Sequence, residues 1–196
     1  MIKAIIFDLG GVIELVDFNG FFEEIASISN KSIEKVKEIE NPLRKKLDLG
    51  QISLKEYFTL VKTNLKLNLT LNSYIQILEK NIKTNADLIN YINLNLKQKF
   101  KLYLFSNNSD LFVNKKKRAE FKKYFVNQFY SYEIKLSKPN PQAYKFVLDD
   151  LKFKANECIF IDDKDSNLEP AKKLGMKTFQ FISTKQLISD LNKVIY

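Results

Sequence analysis

The stretch "IIFDLGGVIE", residues 5–14, ends an apolar run at Asp8 and follows it with two of the chain's five glycines. A nearly continuous apolar run is typical of a strand buried on both faces of a parallel sheet. Asp8 is either a structural cap of the turn at the strand end or a nucleophile. In the second case, Gly10 and Gly11 would clear space for a ligand in front of it.

The next part of the chain has a helical pattern. Apolar residues recur at intervals of three and four over about residues 15–98, and Ser32 and Ser53 stand where N-caps are expected. The pattern predicts a block of about four helices with no convincing strand, and then a further helix over about 88–96.

Beyond residue 99, strands and helices alternate. Strands are predicted at "FKLYLFS" (100–106), "QFYSY" (128–132), "CIFID" (158–162) and "KTFQF" (177–181), with helices over about 141–151, 166–174 and the last residues. This order predicts an α/β fold, a doubly wound, mainly parallel sheet with an inserted helical cap. We assign residues 1–14 and 86–196 to the core domain and 15–85 to the cap domain.

Polar side chains follow the predicted strands. In a parallel sheet, ligands bind beyond the carboxyl ends of the strands. The residues at those ends, together with one loop lysine, are Asp8, Ser106, Asn107, Asn108, Asp162, Asp163 and Lys138. Carboxylates, a hydroxyl, amides and an ammonium group on one rim have the composition of a metal-and-phosphate site.

The amino-acid composition restricts both the catalytic chemistry and the cellular location that we expect. The 196 residues contain no histidine, which excludes Ser-His-Asp and Cys-His catalysis and histidine zinc sites. One cysteine excludes an internal disulfide, and that suits a reducing cytoplasm. No apolar run reaches a membrane span of roughly 18 residues, and the first strand is too short for a signal peptide. We expect a soluble, cytoplasmic protein without a membrane partner.

The net charge of +9 raises the question of nucleic-acid binding. The lysines are spread over the whole chain, and the dense cluster "NKKKR" (114–118) is typical of a solvated surface. We therefore predict no nucleic-acid partner. A basic surface would instead attract a small phosphorylated substrate.

Four short motifs follow one another in a recognisable order: "FDLGGV" (7–12), "FSNNS" (105–109), "KPNP" (138–141) and "IDDKDSN" (161–167). With them the chain resembles the haloacid dehalogenase (HAD) superfamily, in its phosphatase-like branch with a helical cap. Residues 160–176 resemble the phosphatase domain of soluble epoxide hydrolases. The first motif and "GQIS" (50–53) resemble bacterial sugar-1-phosphate phosphatases.

The resemblance implies a Mg²⁺-dependent phosphatase of small phosphomonoesters, with a sugar 1-phosphate as a candidate substrate. It implies that Asp8 is the nucleophile and forms an aspartyl-phosphate, and that Lys138 is a second catalytic residue. The implied metal ligands are Asp8, the Gly10 carbonyl, Asp163 and Asp162, the last as a direct ligand or behind one. The implied phosphate-binding residues are Gly11, Ser106, Asn107 and Lys138.

Each assignment has a structural alternative. Asp162 and Asp163 also suit the N-terminus of a helix, where they would offset its dipole. Ser106 and Asn107 are common turn formers. Lys138 in a "KP" dipeptide is also typical of a solvated loop.

The chain departs from the family pattern at Gly10, where the phosphatases usually carry a second aspartate that acts as general acid. General acid–base catalysis contributes about 10²–10⁴-fold. Either the leaving group needs little protonation, or another group supplies the proton, or catalysis is lost. The alternatives to a phosphatase are thus a catalytically impaired binding protein and a dehalogenase-type hydrolase, whose chemistry needs no metal.

Overall fold

The computed structural model describes residues 1–109 and 120–195. The basic cluster at 114–118 lies outside the described residues. The strands are β1 (Ala4–Phe7), β2 (Glu14–Val16), β3 (Ile82–Thr84), β4 (Lys101–Ser106), β5 (Asn127–Tyr130), β6 (Cys158–Asp162) and β7 (Lys177–Gln180). Five of them form a sheet in the order β5-β4-β1-β6-β7, in which every neighbouring pair is parallel. The predicted parallel α/β sheet is confirmed.

The first strand is the centre of this sheet. Ile5 pairs with Leu102 of β4 on one side and with Ile159 of β6 on the other. Ile5 and Phe7 belong to one apolar cluster, whereas Ala4 and Ile6 belong to a second cluster, because side chains alternate between the two faces of a strand. Helices cover both faces, which explains why all four residues of β1 are buried.

Apart from a short helix at 131–134, which was not predicted, the helices of the core lie close to their predicted positions. They are α5 (Ala86–Tyr91), which continues as a π-helical turn over Ile92–Leu96, then α6 (Ser131–Ile134), α7 (Pro141–Leu151), α8 (Asp165–Lys173) and α9 (Thr184–Ile195). The predicted strand over 128–132 is too long at its end, because Tyr130 ends β5 and α6 begins at Ser131.

Four helices lie between β2 and β3: α1 (Phe18–Ser29), α2 (Ile33–Asp48), α3 (Leu54–Leu65) and α4 (Leu71–Lys80). Their apolar faces form a separate cluster of buried residues that extends from Phe21 to Leu78. Ser32 caps α2, and Ser53 forms a capping box with Glu56 at the start of α3. The predicted helical block is confirmed. Its status as a separate domain over 15–85 stays a prediction.

The prediction of no strand in this block is wrong at its two ends. β2 and β3 pair antiparallel, with Glu14 opposite Thr84 and Val16 opposite Ile82. Each strand has three residues, which is too short to show a period of two. The pairing arises because the chain leaves the core and returns to it at neighbouring points.

Among residues 1–109 and 120–195, we find no helix with both the length and the apolarity needed to cross a bilayer.

Candidate active site

Three adjacent strands deliver the polar residues to one edge of the sheet. Asp8 follows β1, Ser106 ends β4 and Asp162 ends β6, and both β4 and β6 pair with β1 in parallel. Parallel strands have their carboxyl ends at the same edge. Carboxylate oxygens of Asp8, Asp162 and Asp163 consequently lie within 4.8 Å of one another. The structure thus brings together three of the strand-end carboxylates that the sequence singled out.

Lys138 lies between two of these carboxylates. Its Nζ is 2.9 Å from Asp8 Oδ1 and 2.6 Å from Asp162 Oδ2, and the side chain is fully buried. Burial by itself lowers the pKa of Lys138, but the charges of Asp8 and Asp162 outweigh it, so the net direction is upward. Lys138 is therefore a permanent ammonium group inside the site and not a solvated loop lysine.

The Asp162 carboxylate is surrounded by donors. Oδ1 accepts from the Lys164 N–H (2.9 Å) and from Asn167 Nδ2 (2.9 Å), and Oδ2 accepts from Lys138 Nζ (2.6 Å) and again from Asn167 (3.1 Å). The Asn167 carbonyl in turn accepts from the Tyr144 hydroxyl (2.6 Å). These contacts make Asp162 an anchor that fixes the direction of Lys138.

The carboxylate charges of Asp8 and Asp163 are less well compensated by hydrogen-bond donors than the charge of Asp162. Burial raises the pKa of Asp8 despite the Lys138 charge, and the neighbouring Asp162 charge raises it further. Burial and the Asp162 charge also raise the pKa of Asp163. Among the described residues, Asp163 Oδ1 is buried without a hydrogen-bond partner. Two carboxylates of this kind suit a hard divalent cation with oxygen ligands, so the residues present fit Mg²⁺.

The two glycines after Asp8 have different surroundings. Gly11 has φ +84°, and a Cβ built there would be 2.6 Å from Asp163 Cγ, whereas a Cβ at Gly10 would meet nothing within 4 Å. The Gly11 N–H donates to the Glu14 carbonyl (2.7 Å). Gly11 thus lets the first motif approach Asp163 closely. The Gly11 N–H already donates a hydrogen bond within this turn. The contact with phosphate that the sequence predicts for Gly11 stays a prediction.

The residues after β4 complete the rim. Ser106 is buried and lines the cavity above Asp8. The Asn107 side chain donates to the Lys138 carbonyl (2.8 Å) and accepts from the Lys138 N–H (2.8 Å). Asn107 therefore holds the backbone that carries Lys138, while its predicted contact with phosphate is untested.

The rim opens into a cavity of about 470 Å³. Its opposite wall comes from α1 and α2 and contains Phe18, Phe22, Asn41, Arg44 and Asp48. The amino-acid sequence did not predict this wall. A signal for it was the repeat of charged residues every four positions on α2, at Glu40, Arg44 and Asp48, which places them on one side of an otherwise amphipathic helix.

The fold and the site place the protein among α/β enzymes that carry an aspartate at the end of the first strand. A family model described as haloacid dehalogenase-like hydrolase matches residues 2–175. The chain belongs to this family of hydrolases.

Two relatives are similar in sequence to different extents. A D-ribitol-5-phosphate phosphatase of Bacteroides thetaiotaomicron is 27% identical over 189 residues, 92% of this chain and 92% of that protein. The bifunctional epoxide hydrolase 2 of Rattus norvegicus is 44% identical over 76 residues, 39% of this chain. That match spans only 14% of the relative's length.

The fold is also similar to a solved structure. A HAD family enzyme from Bacteroides thetaiotaomicron, crystallised with magnesium and inorganic phosphate, superposes with a TM-score of 0.81 at 23% identity. The superposition covers 95% of this chain and 99% of that chain. At this identity the similarity concerns the fold.

Proposed function

We propose that the protein is a Mg²⁺-dependent phosphatase that hydrolyses a small phosphomonoester through an aspartyl-phosphate on Asp8. The observation that carries the proposal is a buried Asp8 held by Lys138 beside Asp163, at the floor of a cavity of substrate size. The similarity to a ribitol-phosphate phosphatase and to a fold crystallised with magnesium and phosphate supports it.

One carboxylate oxygen of Asp8 makes contacts within the protein, and we assign the other to the attack on the substrate. Oδ1 accepts from the Leu9 N–H (2.6 Å) and contacts Lys138 Nζ (2.9 Å). We assign Oδ2 as the nucleophile that attacks phosphorus. The two contacts on Oδ1 fix the rotation of the carboxylate, which lowers the entropic cost of reaching the attack geometry.

We assign Mg²⁺ to the Asp8 and Asp163 carboxylates and the Gly10 carbonyl, with Asp162 behind them as the anchor of Lys138. When bound, the ion neutralises the repulsion between an attacking carboxylate and a phosphate dianion. Lys138 adds a fixed positive charge next to the reacting oxygen, and Ser106 offers a hydroxyl to the phosphoryl oxygens.

The opposite wall points to the class of substrate. Asn41 and Arg44 are polar groups that suit the hydroxyls of a sugar or polyol phosphate, and the ribitol-5-phosphate phosphatase is consistent with such a substrate. Gly10 in place of an acid is the observation that favours a binding protein without turnover. The buried acidic cluster argues against a metal-free dehalogenase.

The experiment is a phosphate-release assay over sugar, polyol and aryl phosphates, with Mg²⁺ and with a chelator. We expect release only with Mg²⁺, and we expect Asp8→Asn to lose at least about 10³-fold in kcat, as is common when a nucleophile is removed. The exposed Asp87→Asn is the control with the same chemical change and should retain wild-type activity. Robust turnover by Asp8→Asn would exclude the aspartyl-phosphate.

A further inference from the structure

An alkyl phosphate requires a proton for its leaving oxygen, because an alkoxide is a poor leaving group. The expected acid is absent from position 10, and the 196 residues include no histidine. If the proposed function holds for sugar or polyol phosphates, another group must supply the proton. The described carboxyls that line the cavity are Asp8, Glu14, Asp48 and Asp163. Since Asp8 and Asp163 already have roles, Glu14 and Asp48 remain.

Asp48 lies on the helical wall of the cavity that Asp8 also lines. It is the last residue of α2, and its carbonyl accepts a hydrogen bond from the Ser131 hydroxyl. The Ser131 hydroxyl also accepts from the Asn108 N–H (3.0 Å), two residues after Ser106. The end of α2 is thus linked through Ser131 to the loop that carries the predicted phosphate-binding residues.

The carboxyl of Asp48 is held inside the cavity wall. Its Oδ1 is buried and, among the described residues, has no hydrogen-bond partner. Burial raises the pKa of Asp48 to about 6, although Arg44, the Ser109 hydroxyl and Lys164 each lower it. A carboxyl in this environment holds its proton at a far higher pH than an exposed aspartate does.

In-line attack places the leaving oxygen on the side of phosphorus opposite the nucleophile. Asp8 attacks from the end of β1, so the leaving oxygen points away from the sheet and into the cavity that Asp48 also lines. We infer that Asp48 is the general acid that protonates the leaving oxygen and thereby replaces the acid missing at Gly10. This inference rests on the proposed phosphatase function.

The two steps balance. In the first, the bond between Asp8 Oδ2 and phosphorus forms, the bond from phosphorus to the substrate oxygen breaks, and that oxygen takes the Asp48 proton to leave as an alcohol. In the second, water attacks phosphorus and gives a proton to the Asp48 carboxylate. The bond to Asp8 breaks, hydrogen phosphate leaves, and both carboxyl groups return to their starting states.

The test compares kcat/KM for an alkyl phosphate, such as glycerol phosphate, with kcat/KM for p-nitrophenyl phosphate, whose phenolate leaves without help. We expect Asp48→Asn, which keeps the shape of the side chain, to lower the alkyl value by about 10²-fold or more and the aryl value by less than about threefold. An unchanged alkyl-to-aryl ratio in Asp48→Asn would overturn the inference. Mg²⁺- and Asp8-dependent aryl turnover would still support the proposed function, so the two failures are distinguishable.

Glu14→Gln is the matched variant, because Glu14 is a buried carboxyl that lines the same cavity and has no assigned role. It should leave the ratio unchanged. A selective loss of alkyl turnover in Glu14→Gln, with Asp48→Asn unaffected, would assign the acid to Glu14 and overturn our inference.

The pH dependence is a second measurement that does not require a variant. The charged and titratable groups near Asp48 include Arg44 on α2, Tyr57 on α3 and Lys164 after β6, together with Lys45 and Lys138, which line the adjoining depression. Both substrates share the titration of Asp8, and above pH about 7 both phosphates are mainly dianions, so in that range their ratio isolates the acid. We expect the wild-type alkyl-to-aryl ratio to fall about tenfold per unit above pH about 7, because Asp48, with a pKa of about 6, is then mostly ionised and its protonated fraction falls at that rate. A ratio independent of pH between 7 and 9 would contradict the inference.

Discussion

Gly10 and Gly11 are neighbours that tolerate a side chain very differently. An added Cβ at Gly11 would lie 2.6 Å from Asp163 Cγ, on a backbone with φ +84° that costs a non-glycine residue about 1–2 kcal/mol. We expect Gly11→Ala to displace Asp163, lower kcat at least tenfold and raise the Mg²⁺ concentration needed for half-maximal activity.

Gly10→Ala is the control for this substitution, because its Cβ would meet nothing within 4 Å. We expect it to change activity less than threefold. A Mg²⁺ titration of phosphate release, together with urea unfolding, compares the two variants. Equal effects of the two alanines would show that Gly11 does not provide clearance for Asp163.

At the scale of single residues, the sequence predicted the sheet-edge residues because a strand end is a local feature. Open space after Asp8 is present at Gly10, where an added Cβ would meet nothing within 4 Å. The left-handed backbone conformation is present at Gly11. The commitment of the Asn107 amide to the Lys138 backbone was not predictable, since the two residues are 31 positions apart. Such contacts depend on how β4 and the loop before α7 meet in space.

The helix α2 is built around a buried charged network. Glu40 is fully buried, contacts Arg44 Nη2 at 3.1 Å, and accepts hydrogen bonds from the Tyr57 and Tyr74 hydroxyls. Removing one partner of a buried ion pair leaves the other charge uncompensated. We expect Glu40→Ala to lower the free energy of unfolding by about 3–5 kcal/mol, measured by urea titration with circular dichroism.

The control for Glu40→Ala lies on the same helix. Glu38 pairs with Lys35 at 2.9 Å on the surface, where both side chains are at least half exposed. Glu38→Ala should cost no more than about 1 kcal/mol. If the two alanines destabilise equally, the buried network does not stabilise α2.

At the scale of elements, the helices of the insertion were predictable. Their amphipathic periodicity and N-caps such as Ser32 and Ser53 depend only on residues that are close together in the sequence. The pair of β2 and β3 was not, because three-residue strands form only when both ends of the insertion meet. The same reason applies to the short helix α6.

At the scale of the whole molecule, the cavity joins two walls that are distant in sequence. One wall consists of the sheet edge around Asp8 and Asp163, and the other consists of Arg44 and Asp48 on α2. The local sequence pattern predicts the strand ends and the helix α2. It does not show which side chains of α2 line the cavity. This is why the sequence pointed to the residues of the sheet edge but missed the helical wall.

Under the proposed mechanism, the two walls offer two positions for the acid that protonates the leaving oxygen. Gly10 has room for a side chain on the sheet wall, whereas Asp48 stands on the helical wall. If Asp48 is the acid, an aspartate introduced at position 10 should replace it. We expect Gly10→Asp in the Asp48→Asn background to raise the alkyl-to-aryl ratio of kcat/KM at least tenfold above Asp48→Asn alone.

Gly10→Asn in the same background is the control, because asparagine has the size of aspartate and no acidic proton. Its ratio should stay at the level of Asp48→Asn. Steric costs of a side chain at position 10 act on both substrates, so they cancel in the ratio, whereas proton donation acts on the alkyl phosphate alone. Equal recovery by aspartate and asparagine would show that space, and not a proton, limits the Asp48→Asn enzyme. Recovery by aspartate alone would establish that the acid can be supplied from either wall of the cavity.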